Sequence, residues 1–189
     1  VHGLITAKAM GIKDPTVGIL NLDGARTVER ALKDLSKNGY SINFAESLRA
    51  DGGSVMRGND LLNPGFDVMV TDSLTGNILM KMFSSYQTGG NYEATGSGYG
   101  PGIGEGYDRL VLILSRSSGV PVVSKAISFA ARLAAGDVLK VAKEEYAKAV
   151  KAGLYDIIKS VTKADAPAAK EESESVPEPD KEICTEEIA

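Results

Sequence analysis

The chain has 189 residues, of which 43% are apolar and 24% are charged, and its net charge is −4. This composition is typical of a globular domain with a sizeable core. It offers no apolar run of the roughly 18 residues that a membrane span needs, and no basic cluster of the kind that binds nucleic acids.

The single cysteine excludes an internal disulfide and suits a reducing compartment, so we expect a cytoplasmic protein. The first ten residues mix apolar and polar side chains and do not resemble a signal peptide. They also lack an initiator Met, so we expect the sequence to be part of a longer protein.

Helix-like and strand-like segments alternate in the first third of the chain. The sequence predicts the end of a helix, a strand, an amphipathic helix and a second strand, at Leu4–Met10, Thr16–Leu22, Asp23–Ser36 and Ile42–Ala45. Asp23 is the expected N-cap of the amphipathic helix, and Asn38-Gly39 is typical of its C-terminal end.

The alternation continues with two more apolar strands, both predicted to be buried. Phe66–Thr71 leads into the polar cluster Asp72–Asn77 and a helix over Ile78–Tyr86. Leu110–Leu114 consists of five apolar residues, which favours burial on both faces, and the cluster Ser115–Gly119 follows it. The sequence then predicts helical structure over Val123–Val150, with a break at Gly136.

This order predicts an α/β layered domain with a mostly parallel sheet. Ligands of such sheets bind outside the carboxyl ends of the strands. Three polar clusters follow predicted strands, namely Asn21–Gly24, Asp72–Asn77 and Ser115–Gly119. If the strands are parallel neighbours, the three clusters meet at one crevice.

A glycine-rich run separates the second and third of these clusters. From Gly96 to Gly106 every second residue is glycine, a density that weakens helices and strands. Such a run allows the backbone to approach a ligand closely, and its free N–H groups can bind an anion. It fits neither the dinucleotide fingerprint nor the Walker loop. Two interpretations stay open, a ligand-contacting loop and a mobile linker.

Each polar cluster has a functional and a purely structural interpretation. In Asp72–Asn77, Ser73 or Thr75 can cap the following helix, whose N-terminus can also bind an anion. In Ser115–Gly119, Arg116 presents a planar set of donors suited to phosphate, and the alternative is a polar turn.

The only histidine is His2, so a Ser/His or Cys/His arrangement and a zinc site are not supported.

The last 27 residues differ from the body of the chain. Residues 163–189 hold three Lys against nine Asp and Glu, whereas residues 1–162 hold 18 Lys and Arg against 16 acidic residues. We therefore expect one α/β domain over residues 1–162 and a disordered acidic tail over 163–189. The tail carries Cys184, which is either an inert thiol or, if the tail docks near positive charge, a nucleophile.

The ordered motifs of the body resemble a known superfamily. The Asp-Ser-Leu-Thr-Gly-Asn element at 72–77, the glycine run and Leu-Ser-Arg at 114–116 are similar to elements of phosphate acetyl- and butyryltransferases. Val17–Asn21 and the helix containing Lys125–Ile127 and Ala130–Ala134 resemble the phosphate acyltransferases of phospholipid synthesis. The extended glycine run and the acidic, cysteine-bearing end resemble the component C alpha subunits of glycine/sarcosine/betaine reductase complexes.

This resemblance implies a three-layer αβα domain like that of isocitrate and isopropylmalate dehydrogenases. It also implies release of acetyl phosphate by phosphorolysis of an enzyme-bound acetyl thioester, without a metal or cofactor and with phosphate as a substrate. Cys184, Ser115 and Arg116 would be catalytic. Phosphate would be bound by eight residues of the Asp72–Asn77 element and the glycine run: Asp72, Ser73, Thr75, Gly76, Asn77, Gly102, Gly104 and Gly106. The expected partners are a component C beta subunit and a selenoprotein, in a homo- or hetero-oligomer.

One departure and two alternatives accompany this hypothesis. The acetyltransferases have an Asp a few residues beyond Ser-Arg-Gly, whereas this chain reads Ser-Ser-Gly-Val-Pro-Val over 117–122, which disfavours a CoA-dependent reaction. The alternatives are a CoA-dependent phosphate acyltransferase, and a non-catalytic subunit that needs another chain.

Overall fold

The computed structural model describes residues 1–50, 52–63 and 65–164, with the backbone alone for residues 163 and 164. The helices are α1 (His2–Ala9), α2 (Ala25–Lys37), α3 (Ser73–Thr88), α4 (Val120–Ala135), α5 (Val138–Lys151) and α6 (Leu154–Ala164). The strands are β1 (Thr16–Leu20), β2 (Asn43–Phe44), β3 (Val55–Met56), β4 (Val68–Val70), β5 (Tyr99–Gly102) and β6 (Val111–Ile113). A short 3₁₀ helix spans Gly58–Leu62.

Strand β1 lies at the centre of a parallel sheet. On one edge it pairs first with β2 and then with β3, and on the other edge it pairs with β4. The N–H of Ile19 donates to the carbonyl of Ser54, whereas the carbonyl of Thr16 on the opposite edge accepts from the N–H of Asp67. The predicted mixed α/β fold with a parallel sheet is confirmed, and the dehydrogenase-like three-layer arrangement stays a prediction.

The helices α1, α4 and α5 enclose a core beside this sheet. Ile5 of α1 and Leu133 of α4 are fully buried and belong to one apolar cluster with Val138 of α5. The break between α4 and α5 falls at Gly136, as the sequence predicts. A Cβ at this position would lie 1.9 Å from the carbonyl oxygen of Ala9, so only glycine allows α1 to end against the junction of α4 and α5.

A buried carboxylate connects α2 to the sheet. Glu29 accepts hydrogen bonds from Arg26, Lys33 and the hydroxyl of Ser54, which precedes β3. The Lys33 ammonium is the largest influence and, with the other donors, lowers the pKa of Glu29 from its ordinary 4.5 to about 2. The ionised carboxylate therefore fixes the orientation of α2 against the sheet.

Several predicted details of the elements are wrong. The N-cap of α2 is Gly24 in a left-handed conformation rather than Asp23. Strand β4 is half-buried rather than buried, because it is an edge strand of the described sheet. Helix α6 spans Leu154–Ala164, and the division into a domain over residues 1–162 and a tail over 163–189 stays a prediction.

The largest difference concerns the run Leu110–Leu114, which was expected in the core. Its central part is β6, which pairs with β5 in a separate antiparallel hairpin and not with the parallel sheet. The side chain of Ile113 is 62% exposed, because no second layer of the described residues covers this strand. Membership of the parallel sheet and burial on both faces are therefore both wrong for this segment.

The glycine run forms the other strand of this hairpin. Gly98 and Gly100 have positive φ angles of 79° and 132°. A Cβ at residue 98 would lie 2.8 Å from the carbonyl oxygen of Ile113, and one at residue 100 would lie 3.1 Å from that of Val111. Ile103, between the later glycines, is buried in the cluster of α1, α4 and α5. These glycines allow two backbones to pack closely, and the segment is a core-anchored strand rather than an open loop.

Candidate functional site

The site begins where β4 passes into α3. Asp72 is extended, with ψ of 159°, and its Oδ1 accepts a hydrogen bond from the N–H of Thr75 at 2.8 Å. The hydroxyl and N–H of Thr75 hold the pKa of Asp72 below its ordinary value. Asp72 is therefore the N-cap of α3, and the expectation that Ser73 or Thr75 caps it is wrong.

The helix begins earlier than the sequence indicates. Ser73–Asn77 already forms the first turns of α3, so Ser73 and Asn77 lie four residues apart along its axis. A Cβ on Gly76 would lie 3.2 Å from Cγ2 of Thr71, a tight contact that glycine avoids. The small residue thus lets the first turn pack against the end of β4.

A cavity of about 430 Å³, here called the α3 cavity, opens beside this first turn. Its walls come from the start and middle of α3, the segment after α3, the strand β5 and the first turn of α4. The lining residues are Thr71, Asp72, Ser73, Gly76, Asn77, Met80, Ser84, Glu93, Thr95, Gly98, Tyr99 and Val122. Four predicted site residues, Asp72, Ser73, Gly76 and Asn77, are thus brought together.

Ser84 holds the far wall of this cavity. It is the buried residue of α3, 3% exposed, and its Oγ accepts hydrogen bonds from the N–H groups of Ala94 and Thr95, each at 3.2 Å. This contact ties the segment before the glycine run to α3. Sequence reasoning missed Ser84, because a serine inside a helix gives no local signal of its partners.

Glu93 is the second residue that sequence reasoning missed. It is 7% exposed, and its carboxylate accepts from Tyr99 Oη at 3.1 Å and from Ser118 Oγ at 3.0 Å. It also forms an ion pair with Lys81, which in turn donates to Tyr99 Oη at 3.2 Å. The ammonium of Lys81 is therefore engaged by Glu93.

The turn at Ser115–Gly119 follows β6 and precedes α4. The N–H of Ser115 donates to Ser118 Oγ at 3.1 Å, and the N–H of Ser117 donates to Ser115 Oγ at 3.0 Å. Arg116 is exposed at the tip of the turn and makes no hydrogen bond or ion pair with another described residue. Ser115 and Arg116 do not line the α3 cavity, but Ser118 joins their turn to Glu93 in its wall.

The remaining predicted site residues lie elsewhere. Gly102 pairs with Val111 in the hairpin. Gly104 and Gly106 line a second cavity of about 630 Å³ against α5, together with Lys140, Lys143 and Tyr146. The structure does not bring these three glycines to the first turn of α3. Cys184 lies outside the described residues.

The part of the chain that the structure describes contains neither a metal-binding cluster nor a membrane-spanning helix. No group of three or more His, Cys, Asp and Glu side chains there could hold a metal ion. No helix in the same ranges is long and apolar enough to cross a membrane.

A parallel sheet with a cavity at the N-terminus of the helix after a strand is typical of α/β domains, whose ligands bind outside the carboxyl ends of the strands. A family model described as "Fatty acid synthesis protein" matches residues 1–182. The chain therefore belongs to this family.

Two curated relatives are similar to the chain. Glycine/sarcosine/betaine reductase complex component C subunit alpha of Peptoclostridium acidaminophilum is 63% identical over 185 residues, which are 98% of this chain and 48% of that protein. Phosphate acyltransferase of Acetivibrio thermocellus is 35% identical over 98 residues, which are 49% of this chain and 25% of that protein. The chain thus spans about half or less of each relative's length. The resemblance indicated by the sequence motifs is confirmed. No solved structure matches the chain.

Proposed function

We propose that this chain is the acyltransferase part of a reductase complex and releases acetyl phosphate by phosphorolysis of an enzyme-bound acetyl thioester. The observation that carries the proposal is the α3 cavity, whose wall gathers Asp72, Ser73, Gly76 and Asn77 at a helix N-terminus. The component C subunit alpha, 63% identical, and the phosphate acyltransferase, 35% identical, support acyl-group chemistry for a family member with this cavity.

The first turn of α3 supplies the proposed phosphate site. The first N–H groups of a helix lack partners inside the helix and carry partial positive charge, so they attract an anion. The hydroxyl of Ser73 and the amide of Asn77 add donors on the cavity wall. The carboxylate of Asp72 would repel phosphate, and its contribution is to hold the first turn through Thr75.

Arg116 is the proposed cation of the site. Its guanidinium is exposed and is not paired with a described residue, so it can bind two phosphate oxygens at once. The turn that carries it is joined to the cavity wall through Ser118 and Glu93. Arg116 and Ser115 would thus act from the edge of the cavity, facing phosphate that is bound at α3.

The proposed reaction is acyl transfer from sulfur to oxygen. A phosphate oxygen attacks the thioester carbonyl carbon, and the donors around it stabilise the negative charge on the tetrahedral intermediate. The carbon–sulfur bond then breaks, acetyl phosphate leaves, and the sulfur departs as a thiolate that takes up a proton. We propose Cys184 as the sulfur that carries the acetyl group, since it is the only cysteine in the sequence.

A CoA-dependent phosphate acyltransferase is the second candidate, favoured by the relative of that name in Acetivibrio thermocellus. In this version the acyl donor would be acyl-CoA and Cys184 would have no role. The first candidate needs no cofactor, and phosphate is its substrate. The relative named as component C subunit alpha supports membership of a reductase complex with several components. Within such a complex we propose a beta subunit and a selenoprotein as partners, in a cytoplasmic oligomer.

An acyl-phosphate assay separates these possibilities. The protein is incubated with inorganic phosphate and either a small acetyl thioester or acetyl-CoA, and acetyl phosphate is trapped with hydroxylamine. If the wild-type protein forms acetyl phosphate from the small thioester and Cys184→Ala does not, the thioester mechanism is supported. If both the wild-type protein and Cys184→Ala form acetyl phosphate from acetyl-CoA, the second candidate is supported. Absence of acetyl phosphate with both donors, also when partner subunits are added, contradicts both.

A further inference from the structure

Three structural elements meet at the carboxylate of Glu93. Lys81 comes from α3, Tyr99 comes from β5, and Ser118 comes from the turn before α4. Strand β5 is the element after α3, but residues 89–98 separate the two, and the turn before α4 comes only after β6, so their relative positions depend on contacts of this kind. Because Glu93 is 7% exposed, water competes little for these hydrogen bonds.

The backbone of Glu93 reinforces the contact with the turn. Glu93 and Ser118 form a parallel β-bridge. The N–H of Glu93 donates to the carbonyl of Ser117 at 2.8 Å, and the carbonyl of Glu93 accepts from the N–H of Gly119 at 2.9 Å. A Cβ on Gly119 would lie 2.2 Å from Cδ2 of Tyr92, so the two segments lie in direct contact.

Ser118 connects Glu93 to Ser115, the residue before Arg116. Its hydroxyl donates to Glu93 Oε2 and accepts the N–H of Ser115, at 3.0 and 3.1 Å. The carboxylate therefore fixes the direction of the Ser118 hydroxyl, and the hydroxyl closes the turn. Arg116 lies inside this closed turn and has no partner of its own among the described residues.

We propose that Glu93 is a positioning residue for the phosphate site: through Ser118 it fixes the turn that presents Arg116, and by pairing with Lys81 it keeps that ammonium out of the site. This inference rests on the function proposed above, because it assumes that Arg116 binds phosphate. It adds a residue for which neither the sequence motifs nor the fold class gives a role.

Ser118→Ala is the most direct test, because it removes the hydroxyl that joins Glu93 to the turn. We expect the KM for phosphate to rise about tenfold, the effect of losing a hydrogen bond to a charged group, while the KM for the acetyl donor changes little. Ser117→Ala is the matched control, since it makes the same chemical change one residue away and its side chain makes no hydrogen bond within the described residues.

A second pair of variants tests the carboxylate itself. Glu93→Gln on its own would also release the ammonium of Lys81, which could then bind phosphate in place of Arg116. The substitution is therefore made in a Lys81→Met background, and the double variant is compared with Lys81→Met alone. We expect the double variant to have the higher KM for phosphate, by about tenfold, at an unchanged thermal midpoint. A purely structural role would lower the midpoint and kcat without this selective effect.

Direct binding of inorganic phosphate, measured by calorimetry, separates this inference from the proposed function. If the wild-type protein binds phosphate but makes no acetyl phosphate, the proposed function fails, and the comparison of Ser118→Ala with wild type still decides the role of Glu93. The inference is overturned if phosphate affinity and KM stay within about twofold of the reference in both tests, the reference being wild type for Ser118→Ala and Lys81→Met for the double variant. Unfolding of both variants would also contradict it, since Glu93 would then be a core residue of the fold.

Discussion

Glu93 and Ser118 lie opposite each other in a parallel bridge, and the carboxylate of Glu93 accepts the hydroxyl hydrogen of Ser118 at an oxygen–oxygen distance of 3.0 Å. This contact joins the wall of the α3 cavity to the turn that carries Arg116. The proposed phosphate site thus has two parts, a helix N-terminus and an arginine turn, and Glu93 connects them.

Arg116→Ala should weaken the use of phosphate. We expect its KM for phosphate to rise by roughly 10- to 100-fold, because a charge-assisted contact contributes more than a neutral hydrogen bond. Steady-state kinetics with varied phosphate measures the change. Arg109→Ala is the control, because Arg109 is exposed and pairs with the neighbouring Asp108. Equal phosphate KM values for the two variants would show that Arg116 is not the cation of the site.

Ser84→Ala should destabilise the wall of the cavity. The change leaves the N–H groups of Ala94 and Thr95 without their acceptor in a part-buried position. We expect a loss of about 1–3 kcal/mol in the free energy of unfolding, measured in urea, and faster amide exchange at both N–H groups. Ser85→Ala, at an exposed neighbouring position, should have little effect. Similar losses in the two variants would contradict the anchoring role of Ser84.

Gly98→Ala should destabilise the hairpin by more than its φ angle alone would explain. Gly98 and Gly106 have nearly the same φ, 79° and 78°, but a Cβ at residue 106 would meet no atom within 4 Å. Both variants should lose about 1 kcal/mol from left-handed strain, and Gly98→Ala should lose about 1–3 kcal/mol more from the clash with Ile113. Chemical denaturation measures both. Equal losses would show that the strand does not pack as described.

Acid should destabilise the protein through Glu29. Its pKa of about 2 in the folded state lies below the ordinary 4.5, so the folded state binds fewer protons between these values. The stabilisation is therefore complete above about pH 5 and is lost as the pH falls toward about 2. We expect it to reach about 2 kcal/mol, since partly exposed Arg26 and Lys33 are screened by solvent.

Unfolding curves of wild type and Glu29→Gln across pH 2–6 measure this contribution. Glu29→Gln should be less stable than wild type at pH 6 and should lose less stability on acidification. Glu46→Gln changes an exposed carboxylate that has no ion pair within the described residues, and it should follow the wild-type curve. Parallel curves for wild type and Glu29→Gln would contradict the assignment.

The sequence predicts those parts of the fold that depend on local patterns. Alternating apolar segments indicate β1, α2 and β4, and Gly136 marks the break between α4 and α5, because glycine ends helices. The element Asp72–Asn77 follows a strand as predicted, but all of it except Asp72 belongs to the helix that was expected to begin at Ile78. Asp72 rather than Ser73 is the N-cap because its backbone is extended and its carboxylate accepts the N–H of Thr75, neither of which composition determines.

The parts that sequence reasoning missed depend on contacts between distant segments. The apolar run around β6 has the pattern of a core strand, but its pairing with β5 removes it from the parallel sheet. The alternating glycines indicate that the backbone approaches another group closely. At Gly98 and Gly100 this group is the backbone of the neighbouring strand β6. Glu93 has no motif around it, and its role follows from three partners at sequence separations of 6 to 25 residues.

The central claim is that this chain handles an acetyl group as a thioester and passes it to or from phosphate. Incubating the protein with acetyl phosphate, followed by peptide mass spectrometry, tests this claim most directly. We predict one acetyl group on Cys184 that hydroxylamine removes, that competing inorganic phosphate diminishes, and that is absent from Cys184→Ala. An unmodified Cys184 after incubation with acetyl phosphate, or acetylation that persists unchanged in Cys184→Ala, would contradict the account.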